Sequence, residues 1–224
     1  TQNEIWALMA ELARLLREDL ISFETYAYIH LHQATARRTN QIRQLKFEDL
    51  RKEISQGTWN YFLHIPSAKK RGGLFRETLK KLAITEDLYL ILLNFTEYQY
   101  KKLLSLVDET FISGYKMKLP MFIDWNCLQM NIKNRNFDLS LLNKDIFHYS
   151  ASSLELHSLR KFCIHQKAIS ERTGEIIHVT ARRFRHTRGT NLGRKGVGAA
   201  IIAELLDHTD TQNVKVYTEN TADT

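Results

Sequence analysis

The sequence predicts a mainly α-helical fold that carries one small, three-stranded antiparallel β-sheet. Three observations lead there. Apolar residues recur at helical spacing near the N-terminus, again from Leu88 to Phe95, and again beyond residue 150. From Phe47 to Ile84 that period gives way to an alternation rich in aromatic and β-branched residues. Apolar content of 43% is ample for a packed core, and no repeat or low-complexity linker divides the chain. One domain spanning residues 1–224 is therefore expected.

The elements follow in order. N-E-I-W-A-L-M-A-E-L-A-R-L-L-R places Ile5, Trp6, Met9, Leu12 and Leu16 on one helical face. A second helix, Ser22 to Gln33, turns Phe23, Tyr26, Ala27 and Leu31 inward. Residues 35–50 read as a loop opening a short helix with Ile42 and Leu45 as its apolar side. Arg37 and Arg38 stand at that junction, where backbone N–H groups favour an anion. W-N-Y-F-L-H-I-P is a strand with Trp59, Tyr61, Leu63 and Ile65 on one face. With residues 53–56 and F-R-E-T-L-K-K-L-A-I it makes the sheet, and Lys69, Lys70 and Arg71 form a basic turn between strands.

Thr85 is placed to cap a helix of about twenty residues, because Glu86 and Asp87 suit the first turn. Residues 116–149 read as loop with short elements. A helix over residues 150–165 follows, capped by Ser152 or Ser153, and E-R-T-G-E-I-I-H makes a turn. Ala181 to Arg194 is a helix ended by Gly196 and Gly198. Val197, Ile201, Ile202 and Leu205 are the apolar side of the next, which Asp207-His208-Thr209-Asp210 breaks. A last helix would carry Val214 and Tyr217.

Net charge of +7, with a pI near 9.4 and nine histidines, favours a polyanionic partner, nucleic acid before membrane. No apolar run reaches membrane-spanning length and no signal-peptide pattern opens the chain. Cys127 and Cys163 lack metal-ligand spacing and fit reduced packing residues, so a cytoplasmic protein is expected. The absence of an initiating Met and the short stretch after Tyr217 suggest a fragment of a longer protein.

Chemistry concentrates between Thr180 and Tyr217. Arg182, Arg183, Arg185 and His186 surround Phe184, and His208 and Tyr217 follow. Clustered guanidiniums suit a phosphate, to which each can give two parallel hydrogen bonds. A tyrosine hydroxyl beside a bound phosphate is a candidate nucleophile. The stretch therefore reads as the site of a phosphoryl-transfer enzyme acting on DNA.

Arg38, Lys69, Arg185, His208 and Tyr217, in that order, resemble the tyrosine recombinases, or phage integrase family. R-T-N-Q-I-R-Q-L-K-F-E-D-L is similar to the first box and selects Arg38 over Arg37. I-P-S-A-K-K-R-G-G resembles the lysine hairpin, with Lys69 preferred and Lys70 in reserve. R-R-F-R-H-T-R-G-T resembles the second box, with Arg185 as its arginine and His186 structural. L-L-D-H-T-D-T-Q-N-V-K-V-Y is similar to the family's ending, with His208 and the nucleophile Tyr217. Arg182 stands where the family most often has histidine; it can bind phosphate but cannot accept a proton.

The resemblance implies the tyrosine recombinase catalytic-domain fold and a site-specific recombinase or integrase of a mobile element. Arg38 and Arg185, assisted by Arg182, would stabilise the pentacoordinate phosphate. Tyr217 would form a 3′-phosphotyrosine, Lys69 would protonate the leaving 5′-oxygen, and His208 would hydrogen-bond the phosphate. Neither metal, cofactor nor ATP is implied. The implied partner is double-stranded DNA, bound by a tetramer, with this fragment a monomer on its own. An N-terminal DNA-clamping domain and a C-terminal tail are expected outside these residues. Two rivals are a topoisomerase-like or telomere-resolving relative and a non-catalytic helical DNA-binding module.

Overall fold

The computed structural model describes residues 1–67, 76–134, 137–143, 145–207 and 214. It has the expected composition, mainly helical with a three-stranded antiparallel sheet of order β1-β2-β3. The chain divides into two compact units, Thr1–Thr39 with Glu155–Thr224, and Asn40–Leu154.

Helix α1 (Gln2–Arg17) opens the first unit and buries Leu8, Leu12 and Leu15. The stripe is rotated from the expected one, and Trp6 is 63% exposed. Spacing of four and three residues from Leu8 outcompetes the wider face through Trp6. Helix α2 (Phe23–Thr35) is capped by Ser22, whose side chain accepts from the Thr25 backbone N–H. Its buried set is Thr25, Ala27, Tyr28, Ile29, Leu31, His32 and Thr35, so it is covered on nearly all sides. Phe23 and Tyr26, expected inward, are only half-buried. The helix stops at Ala36, which adopts a left-handed conformation with φ of 52°.

Helix α3 (Thr39–Ile42) is the short helix expected after Arg38, and Ile42 and Leu45 are fully buried. Residues 47–49 form a 3-10 turn rather than strand. Strands β1 (Leu50–Ser55), β2 (Thr58–Pro66) and β3 (Leu79–Ile84) then pair, with Leu50 opposite Leu63 and Leu63 opposite Leu82. Leu63 and Ile65 are buried, but Trp59 at the far end of the same face is 49% exposed. Helix α4 (Glu86–Leu104) begins at the Thr85 cap, packs on the sheet, and buries Leu88, Leu92 and Phe95.

The region read as loop holds more helix than expected: α5 (Glu109–Ile112), a 3-10 segment at Ser113–Lys118, α6 (Trp125–Lys133) and α7 (Ser140–Asn143). They enclose a core of Phe47, Leu103, Leu119, Trp125, Leu128 and Phe147. Asp124 caps α6 through the Cys127 N–H, a signal hidden by the nearby Pro120. Helix α8 (Ala151–His165) is capped not by Ser152 or Ser153 but by Ser150, whose Oγ accepts from the Ser153 N–H. Helices α9 (Ala181–Arg194) and α10 (Ala199–Leu205) return to the first unit. Gly196, with φ of 74°, separates them. On α10 it is Ile202 and Ala203 that are buried; Ile201 and Leu205 are exposed. The final helix expected around Tyr217 lies outside the described residues.

One buried charge organises the second unit. Asp49, 1% exposed, accepts from Arg76 Nη1 at 2.6 Å and Nη2 at 2.9 Å, and from the Lys46 N–H at 2.7 Å. Removing that carboxylate takes away the two short bonds of a largely buried guanidinium and leaves it only the more distant Glu48, at 3.6 Å, as an ion-pair partner among the described residues. Asp49→Ala should therefore destabilise this unit by about 3 kcal/mol, read by urea unfolding.

Candidate active site

Helix α9 supplies the centre. Thr180 caps it by accepting from the Arg183 N–H, which sets the phase of the arginines that follow. Phe184 and Arg185 turn inward and Arg182 and Arg183 stay exposed. Gly189 and Gly193, about one turn apart, are both buried, and the helix packs against α2.

Arg185 is 7% exposed and spends two N–H groups on main-chain carbonyls. Its Nη1 donates to the Ala36 oxygen at 3.0 Å and its Nη2 donates to the Leu206 oxygen. These are the last residue of the turn before Arg37-Arg38 and the residue that closes α10. A planar fork is needed to reach both at once. Arg185 thereby stands beside the backbone that carries Arg38, although 149 residues of sequence separate it from Ala36. Arg38 is exposed, whereas Arg37 is 4% exposed. Arg182, one turn before Arg185 on α9, is exposed as well. The first unit holds Arg38, Arg182 and Arg185, and the bond to the Ala36 oxygen anchors Arg185 two residues before Arg38 in the chain. Lys69, its alternate Lys70, His208 and Tyr217 lie outside the described residues.

A buried column lies behind these arginines, and sequence reasoning missed it. Phe184 stacks on His32 with ring centroids 6.4 Å apart. His32 meets Tyr28 edge-on at 4.5 Å, and the Tyr28 hydroxyl lies 3.0 Å from Thr39 Oγ1. The column links the neighbour of Arg185 to the neighbour of Arg38. His32 is buried and neither ring nitrogen has a hydrogen-bond partner. Burial pushes its pKa from the ordinary 6.5 down to about 3, and that of half-buried His30 down to about 4. Burial likewise raises the Tyr28 hydroxyl. The signal was present as Tyr28 and His32 at helical spacing, but Tyr26 competed for the inward face.

His186 is exposed, with Nδ1 3.4 Å from Thr190 Oγ1. Cys163 is half-buried, and its thiol donates to the Val179 carbonyl at 3.5 Å, in keeping with a packing role. A cleft of about 680 Å³ lies on the other side of α9, lined by Ile5, Leu8, Phe184, Thr187, Arg188 and Asn191 among others. Arg38 and Arg182 are exposed at the surface, whereas Arg185 lies buried beneath it.

Comparison with known proteins gives a family-model match and a similar fold. The model of the phage integrase family matches residues 150–223, which hold α9, Arg182, Arg185, His208 and Tyr217. Among solved structures, XerA recombinase is similar at 15% sequence identity with a TM-score of 0.55. The similarity covers 97% of this chain and 57% of the XerA chain, so the chain spans little more than half of that protein. No curated protein matches the chain. The fold is that of a tyrosine recombinase catalytic domain.

The depressed histidines carry a pH dependence. The unfolded chain takes up protons as pH falls below about 6.5, while the folded chain does not until about 3–4. Stability is therefore full above pH 6.5 and lost on acidification, by up to about 1.4 kcal/mol per pH unit per histidine. His32→Phe should flatten the fall in stability between pH 6.5 and 4, measured by thermal unfolding at stepped pH.

Proposed function

We propose that this protein is a site-specific DNA recombinase that cuts and rejoins strands through a tyrosine-linked phosphate. The observation that carries the reading is the Arg185 fork on the Ala36 carbonyl, which sets two arginine motifs side by side from opposite ends of the chain. The integrase-family match over residues 150–223 supports it.

A phosphodiester resists attack because its charge repels nucleophiles and its alkoxide leaves poorly. Arg38, with Arg182 and Arg185, neutralises the non-bridging oxygens and stabilises charge that grows toward the pentacoordinate transition state. An open, cationic surface suits a duplex, which is too wide for an enclosed cavity. Tyr217 attacks phosphorus and loses its proton, the bond to the 5′-oxygen breaks, and Lys69 gives that oxygen a proton. A 3′-phosphotyrosine and a 5′-hydroxyl result. His208 hydrogen-bonds the phosphate. Because one phosphodiester is exchanged for another, rejoining needs no ATP. Arg182 cannot accept a proton as a histidine there would, so proton transfer falls to the other groups. The substrate is double-stranded DNA, with a mobile element's ends as the proposed sites and a tetramer as the proposed assembly.

The test is covalent trapping. Nicked duplexes carrying candidate ends are incubated with the protein without added metal, denatured in detergent and examined for DNA-linked protein. The expected band vanishes in Tyr217→Phe and falls at least ~100-fold in Arg38→Ala, as when a charge-stabilising donor is removed. DNA bound but never linked by the wild type would instead favour a non-catalytic binding module. Binding should weaken steeply with salt in either case, because counterions are displaced.

A further inference from the structure

Helix α9 has a second side that the reaction just described leaves unused. That side borders the cleft of about 680 Å³, whose other walls include the first turns of α1 and residues 177–180. A further hollow of about 400 Å³ shares Arg183, Thr187, Asn191 and Arg194 with it, so the two make one groove along the helix. From Arg183 to Lys195 the helix rises roughly 18 Å. Leu8, Ile177, Val179 and Phe184, all buried, give the groove an apolar floor.

The rim is cationic. Arg172, Arg183, Arg188, Arg194 and Lys195 border the cleft and, among the described residues, Glu4 is the one carboxylate that does. Glu4 is already engaged, accepting from the Ser170 hydroxyl and from Arg172 Nε at 3.3 Å and Nη2 at 3.2 Å. Arg183 donates from Nη1 to the His178 carbonyl at 2.7 Å. The side chains of Arg188, Arg194 and Lys195 are exposed and have no hydrogen-bond or ion-pair partner among the described residues. Helix electrostatics accounts for only part of this. Cations suit the last turn, where Arg194 and Lys195 stand, but Arg188 lies mid-helix and Arg183 opposes the dipole in the first turn.

Charge and shape select the occupant. A compact anion cannot reach cations spread over roughly 18 Å. A duplex would meet them through its phosphates but has no apolar surface to set on the floor. About three turns of amphipathic helix, or about five extended residues, match the length. We propose that the groove docks an acidic, amphipathic segment of a partner protein, its apolar residues on the floor and its carboxylates on the cationic rim. Docking is independent of the strand-cleavage reading, because Arg38, Arg182 and Arg185 do not line the groove. The docked segment rests on Phe184, the residue before Arg185 in the chain.

The test uses a displayed library of random short peptides, selected on the wild-type protein and counter-selected on Arg188→Glu. Enriched peptides should combine several Asp or Glu with regularly spaced apolar residues. A labelled peptide from that pool, titrated by fluorescence anisotropy, should bind Arg188→Glu and Arg194→Glu at least ~10-fold more weakly, because like charges then face each other. Thr187→Trp, which fills the groove and keeps every charge, should weaken binding as much. Arg160→Glu, at an exposed cation on α8, should leave it unchanged. If Thr187→Trp does not fold, the same peptide with its apolar residues changed to Ser takes its place and should lose at least ~10-fold. A selection that enriches no peptide, or only peptides without acidic residues, would overturn the proposal. So would equal losses on Arg160→Glu, which reduce the effect to overall charge. Displacement of the peptide by nicked duplex, with duplex binding weakened by Arg188→Glu, would give the groove to DNA instead. Self-association that Arg188→Glu abolishes, seen by gel filtration, would give it to a second copy of the chain.

Discussion

One guanidinium holds the first unit's ends together. Arg185 lies at the meeting of three segments: its own helix, the left-handed turn after α2, and the close of α10. Each contact is a charge-assisted bond to a main-chain oxygen, stronger than its neutral counterpart in a dry setting. A lysine could present a point charge to one oxygen but has no planar fork to span two. The turn geometry, the exposure of Arg38 and the termination of α10 all depend on where those oxygens are held.

The material around that guanidinium is chosen to leave its field undisturbed. Phe184, His32 and Tyr28 form an aromatic column in which burial keeps both titratable rings neutral over the ordinary pH range. No cation in that column competes with the arginines for an anion. Stacking instead supplies stiffness, since rings in contact have few rotamers to choose among. Apart from the buried Arg185, the arginines of α9 stand on its exposed side.

Much of this was legible in the chain itself. The α9 boundaries, the Thr85 cap and the three strands follow from capping residues and from period, which are local properties. Inward faces were harder. On α1 and α10 the exposed Trp6, Ile201 and Leu205 are as apolar as the buried residues, and only tertiary packing separates them. The α6 helix was concealed because a proline and scattered basic residues mask its Asp124 cap. In the site, motif spacing marked Arg38, Arg182 and Arg185; of these, Arg185 is buried with its fork on two main-chain oxygens, and the other two are exposed. Burial of Arg37 and the His32 column could not be read, because each depends on partners from distant parts of the sequence.

The separation between Arg185 and Ala36 has a consequence for biosynthesis. At a synthesis rate of roughly 5–20 residues per second, the turn before Arg38 waits roughly 7–30 s for the residue that fixes it. A half-made chain on the ribosome holds the first arginine without the second. If the protein breaks and joins DNA as proposed, that order keeps growing chains inert toward DNA. The chemistry would begin only when the far end of the chain has folded back onto the beginning.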